Sequence, residues 1–157
     1  MERPNDQSGQ RYDSLFMTFA EWDRSPSGHW VMRQHTFLDW KVLKAQAIAA
    51  SKLNPRAVSV VGAKGLFQFM DPTWQEWSAR KQPGAPLDVW NPEHATFVAA
   101  AYLESLLGRV GGDLRKAIAA YHWGIGHVTR VVQERGEQWE AALPLATLGY
   151  LARILGA

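Results

Sequence analysis

Three pairs of Asn or Asp followed by proline divide this chain: Asn54-Pro55, Asp71-Pro72 and Asn91-Pro92. Proline removes a backbone donor and restricts the residue before it. A helix can begin at such a pair or stop short of it, but does not run through it undisturbed. The runs between the pairs read as helices. In "FLDWKVLKAQAIAAS", 37–51, Trp40, Leu43, Ala47 and Ala50 recur at spacings of three and four, so they share one face. Thr36 with Asp39 resembles a capping box at its start, and Pro55 is expected to end it. "DPTWQEW" opens the next helix, with Asp71 as cap and Pro72 in the first turn. "NPEHATFVAAAYLESLLGRV", 91–110, repeats the device, and Gly111-Gly112 closes it. Asp113 starts "DLRKAIAAYHW", which breaks at Gly124 and Gly126. A short helix over about 126–134 and a last one over about 144–155 complete the series.

Upstream, residues 1–12 read as a loose polar arm. "DSLFMTFAEW", 13–22, suits a helix capped by Asp13 or Ser14, and "DRSPSGHW", 23–30, reads as a loop. "VSVVGAKGLFQFM", 58–70, mixes β-branched residues with Gly62 and Gly65 and reads as a loop or short hairpin. The expected fold is mainly α.

At 157 residues the chain fits one domain and can bury an ordinary core. It has no cysteine, which excludes disulfides, thiolate zinc sites and a cysteine nucleophile. The five histidines lack metal-ligand spacing; His122 and His127 are five apart and do not share a helix face. Neither metal nor cofactor is expected. The opening "MERPNDQSGQ" is no secretory signal, and the most apolar window, "ATFVAAAYL" at 95–103, is too short to span a bilayer. A cytoplasmically made chain without stable membrane insertion is the expectation. Net charge is +2, with basic residues scattered rather than striped, so nucleic acid is not an expected partner. Eight tryptophans can fill a core or stack on sugar rings. Gly124-Ile125-Gly126 is too short for a phosphate loop and reads as a turn that lets backbone approach a sugar.

Five stretches together, "SKLNPRAVS", "GAKGLFQFM", "NPEHATFVAAAYL", "GGDLRKAIAAYHWGIG" and "GYLARIL", resemble the catalytic domain of the soluble lytic transglycosylases, within the lysozyme superfamily. Their order and spacing match over about 42–155. The resemblance implies a lysozyme-like helical domain, residues 41–157, with the loop or hairpin beside an active-site groove and residues 1–40 packed on it as an arm and helix. It implies cleavage of the β-1,4 bond between N-acetylmuramic acid and N-acetylglucosamine, leaving 1,6-anhydromuramic ends.

The family's first motif is Glu-Ser, then Asn-Pro after two residues. Ser51, Asn54 and Pro55 match, but the glutamate falls on Ala50. A carboxylic acid there would protonate the leaving oxygen, its pKa raised by the apolar stripe, and then act as base. The muramic 6-hydroxyl would attack in place of a second carboxylate. Alanine can do neither proton transfer. Either a glutamate was replaced to disable the enzyme, which the preserved surroundings favour, or this is a naturally inactive homologue that kept the groove and binds peptidoglycan. A lysozyme-like hydrolase of the same fold is a further alternative. The resemblance also carries Ser59, Gln68, Met70 and Tyr121 over as residues near the sugar, with Ser51 beside them. His122 stands where asparagine is usual, Val60 where proline is usual, and Ala146 where a substrate-binding glutamate often falls. Glu93 is expected to favour its helix start; Glu76 and Glu104 are expected on helix surfaces. The implied partner is a peptidoglycan glycan strand, and the implied state a monomer. A bacteriophage endolysin or virion-associated lysin is expected, acting in the periplasm or on the wall after holin-type release or as a virion component.

Overall fold

The computed structural model describes residues 9–33 and 39–156. It divides into two compact units, residues 1–101 and 102–157.

In the first unit, helix α1 (Asp13–Glu21) buries Phe16, Phe19 and Ala20. No side chain caps it: Tyr12 holds the cap position, against the expectation for Asp13 or Ser14. The reason is an ion pair, because the Asp13 carboxylate meets Lys44 Nζ at 3.0 Å. Residues expected as a loop instead form a hairpin. Strand β1 (Trp22–Arg24) pairs antiparallel with β2 (Trp30–Met32), Trp22 facing Met32 and Arg24 facing Trp30. Ser25, Gly28 and His29 close it through backbone bonds of 2.8 Å. Asp23 anchors the hairpin to Lys81 at 2.7 Å, and buried Arg33 donates Nε–H to the Phe19 carbonyl at 2.7 Å.

Helix α2 (Trp40–Ser51) packs on α1. Asp39 caps it, accepting from the Lys41 N–H at 2.9 Å; Thr36, the other half of the expected capping box, lies outside the described residues. The helix stops at Ser51, before Pro55 can act. Lys52 and Leu53 turn left-handed, with φ of 55° and 62°, and the Lys52 N–H closes on Ile48 O at 2.9 Å. Two consecutive non-glycine residues in that region cost roughly 1–2 kcal/mol each.

Helix α3 (Asp71–Lys81) starts at Met70 as cap, without a side-chain bond. Asp71 therefore lies inside the helix rather than capping it, and its carboxylate pairs with Lys64 at 3.0 Å. Asn91 behaves as expected: its Oδ1 accepts from the Glu93 and His94 N–H groups, opening α4 (Pro92–Arg109). Residues 95–101 of α4 are all buried, the four alanines and threonine leaving room for close neighbours around Phe97 and Val98.

In the second unit, Asp113 caps α5 (Leu114–Trp123) by accepting from the Lys116 N–H. Gly124, at φ 108°, separates it from α6 (Ile125–Arg135). Gly126 is inside that helix and breaks nothing. A 3-10 segment (Gly136–Ala142), not expected from the sequence, leads to α7 (Leu145–Leu155). Helix α5 packs on both α6 and α7. Ile118, Val128 and Leu151 are fully buried in these helices. Arg115 holds Glu140 with two bonds, of 2.6 and 3.2 Å.

Candidate functional site

Five of the seven candidate residues fall on one continuous segment, the end of α2 and the loop that follows. Ala50 is half-buried one residue before the helix ends. Its stripe-mates Leu43 and Ala47 are fully buried. A side chain at 50 therefore starts from an apolar base and points toward the edge of the core, where burial would raise a carboxyl pKa.

Ser51 ties the helix end to the glycine-containing loop. Its Oγ lies 2.8 Å from Leu66 O and 3.1 Å from Ala47 O. Its one hydroxyl proton is shared between protein carbonyls. Ser59 closes the tip of the loop: its Oγ accepts from the Ala63 N–H at 3.0 Å, and its own N–H donates to Ala63 O at 2.9 Å. That leaves the Ser59 hydroxyl proton available to an incoming acceptor.

The segment expected as a loop or short hairpin is a loop closed by two isolated bridges, Val58 with Lys64 and Lys64 with Phe69. Gln68 locks it. Its backbone sits in the left-handed region at φ 54°, and its Nε2 donates to Ala57 O at 3.1 Å and to Gly65 O at 3.0 Å. Both amide protons are thereby engaged, and Oε1 is what the side chain has left for a ligand. Gly65 completes the lock. A Cβ there would stand 2.5 Å from the Val89 carbonyl oxygen, and φ is +82°. Met70 is exposed at the loop's end, before α3, and Val60 at the tip is fully exposed.

Tyr121 and His122 form a cluster of their own in the second unit. The Tyr121 ring packs on Tyr102, with centroids 5.2 Å apart. Burial first, then the neighbouring Tyr150 and Tyr102, pushes its phenol pKa well above the usual value, so it stays a neutral donor. The His122 ring stacks on Tyr150 at 4.7 Å, and its Nδ1 lies 3.0 Å from the hydroxyl of fully buried Thr147. The residue as a whole is exposed, with one ring face covered by Tyr150. Partial burial, then the charge of Arg153, lowers its pKa below the usual histidine value.

Several residues carry more than the sequence suggested. Gln46, one turn before Ala50, is fully buried with neither amide atom hydrogen-bonded. An amide on an otherwise apolar helix stripe was the available signal. Thr147 had none, since its partner His122 lies twenty-five positions away. Glu76 is exposed beside Arg80, as expected, whereas Glu104 is half-buried rather than solvated. Glu93 sits exposed in the first turn of α4. Trp74 and Trp139 are buried; Trp30 and Trp90 are substantially exposed.

Residues 32–143 match the transglycosylase SLT domain family. The chain is 34% identical over 106 residues to membrane-bound lytic murein transglycosylase F of Idiomarina loihiensis, covering 62% of this chain and 22% of that protein. It is 34% identical over 91 residues to peptidoglycan transglycosylase gp16 of Escherichia phage T7, covering 58% of this chain and 7% of that protein. It therefore spans only a minor part of the length of these relatives. The fold is that of solved lytic transglycosylases. An inactive mutant of Slt from Pseudomonas aeruginosa superposes with a TM-score of 0.73 over 94% of this chain and 23% of that one, at 24% identity. The 70 kDa Slt70 from Escherichia coli gives 0.72 over 92% of this chain and 23% of that one, at 22% identity. No helix among the described residues is long and apolar enough to cross a membrane.

Proposed function

This chain belongs to the transglycosylase SLT domain family, and from that premise we propose that it is a peptidoglycan lytic transglycosylase domain whose acid/base position is occupied by Ala50. The observation that carries the reading is the helix end at Ala50-Ser51, bound through the Ser51 hydroxyl to a loop locked by Gln68, within the matched span. A glutamic acid at 50 would project from an apolar stripe at that end. It would protonate the glycosidic oxygen, then take a proton from the muramic 6-hydroxyl as that oxygen attacks the anomeric carbon. One carboxyl serves both steps. In the first unit the Ser59 hydroxyl, the Gln68 Oε1 and Met70 are the proposed sugar-facing groups; in the second, Tyr121 and His122 are proposed substrate residues carried over from the family resemblance.

With alanine at 50 the chain as it stands binds glycan strands and leaves them intact. The relative from phage T7, a peptidoglycan transglycosylase, favours a phage lysin; synthesis in the infected cell, action on the wall and a monomeric state are proposed with it. The test compares the chain with its Ala50→Glu form on purified peptidoglycan. The expected result is cosedimentation without product for the first, and soluble muropeptides one water lighter than the hydrolytic products for the second. Hydrolytic products from Ala50→Glu would instead make it a lysozyme-like hydrolase, and no products at all would remove the enzymatic reading.

A further inference from the structure

A fully buried amide with no partner is rare, because each unpaired polar atom loses its hydration without replacement. Gln46 is such a group: it is 0% exposed, and neither Oε1 nor Nε2 has a hydrogen bond. It stands between Leu43 and Ala47, both fully buried, on the face of α2 that leads to position 50. Residues four apart on a helix lie one above the other, about 5–6 Å between Cβ atoms. Side chains also lean toward the helix N-terminus, so a side chain at 50 reaches back over residue 46. Alanine at 50 has nothing with which to meet the amide. Lys44, the charged residue of α2 nearest to Gln46 in sequence, is already taken up by Asp13 at 3.0 Å.

We propose that Gln46 is a positioning residue for a carboxyl group at position 50: its Nε2–H donates to that carboxyl, and its amide is orphaned here because position 50 is alanine. The proposal rests on position 50 as the site of the acid, and extends it by giving that acid a defined partner on its own helix. The hydrogen bond orients the carboxyl and favours its ionised form. It thus opposes the rise in pKa that burial imposes and keeps the group able to act as base after acting as acid.

The test is a pair of substitutions made singly and together, Gln46→Met and Ala50→Glu, methionine being close in shape and apolar. In the Ala50 chain, Gln46→Met removes two unpaired polar atoms and is expected to raise Tm by about 3 °C. In the Ala50→Glu background the same change is expected to lower Tm. There it should also raise the carboxyl pKa by about one unit, followed by NMR titration of the labelled side chain. A merely space-filling glutamine would not move that pKa. Equal Tm changes in both backgrounds, or an unmoved pKa, overturn the proposal. So does a loss of stability from Gln46→Met in the Ala50 chain, which would mean that the amide already holds a buried water. Should Ala50→Glu not fold, Ala50→Gln carries the same thermal comparison, its amide oxygen being the acceptor. These readouts are independent of turnover. Coupling without muropeptide release retains the contact and defeats the catalytic reading; release without coupling does the reverse.

Discussion

Gly65 shows how one missing methyl group shapes the site. Its backbone is left-handed, and the Val89 carbonyl occupies the space a Cβ would need, at 2.5 Å. Gly65→Ala is expected to destabilise the chain by about 3 kcal/mol or more, combining left-handed strain with overpacking against rigid backbone; thermal unfolding measures it. The glycine was visible in the sequence as a loop residue, but its need could not be read there, because Val89 is twenty-four positions away. His122 is the second residue whose surroundings decide its behaviour. Its pKa is lowered in the folded chain, by burial and then by Arg153. The unfolded chain therefore binds a proton more readily as pH falls through the histidine range. Its contribution to stability is full above the unfolded pKa of about 6.5 and is lost as pH falls through and below it. The Tm of the chain is expected to drop between about pH 7 and pH 5 more steeply than that of His122→Asn, measured by scanning fluorimetry at each pH. That residue 122 is a histidine where the resemblance has asparagine was legible; Thr147 and Tyr150 as its partners were not, because they come from another helix.

At the scale of elements, local capping chemistry decided the starts of α2, α4 and α5, and ion pairs drew the expected capping side chains away at α1 and α3. Asn91 meets two N–H groups of the first turn of α4 at 2.9 and 3.1 Å. Asn91→Ala is expected to cost about 1 kcal/mol, with Asn91→Asp close to neutral, read from the midpoint of urea unfolding. That cap needs only residues three apart in sequence, so it could be read directly, as could Asp113 on α5. Asp13 and Asp71 carry equally good capping side chains and do not cap. Lys44 and Lys64 claim their carboxylates, and neither pairing lies within one helical turn. The hairpin at 22–32 escaped for a related reason. Its strands are three residues each, and Ser-Pro-Ser-Gly between them has the composition of any loop. Asp23 is held by Lys81, fifty-eight residues on. The end of α2 was assigned to Pro55 but is made by Lys52 and Leu53, two residues with no intrinsic preference for the left-handed region. Backbone strain of this kind clusters at functional sites, and here it lies directly beside position 50.

For the whole molecule, the pattern of prolines, glycines and apolar spacing was enough to give a mainly helical chain with the observed order of helices. That information is local: a helix needs a periodic face and two ends, and both are written within a few turns. The five motif stretches, taken in order, were also enough to point to the family that the match over residues 32–143 establishes. Motif spacing likewise singles out Ala50 as the proposed position of the acid. Tertiary structure decided the rest. It buried Gln46 without a partner, bound both Gln68 amide protons to the carbonyls of Ala57 and Gly65, tied Ser51 to Leu66, and cradled His122 between Thr147 and Tyr150. Most of these depend on which backbone or side chain from farther along the chain arrives within 3–5 Å once the core has closed. Residue types and local spacing do not encode those arrivals, and so the chain's motif could be read without the contacts that make it a site.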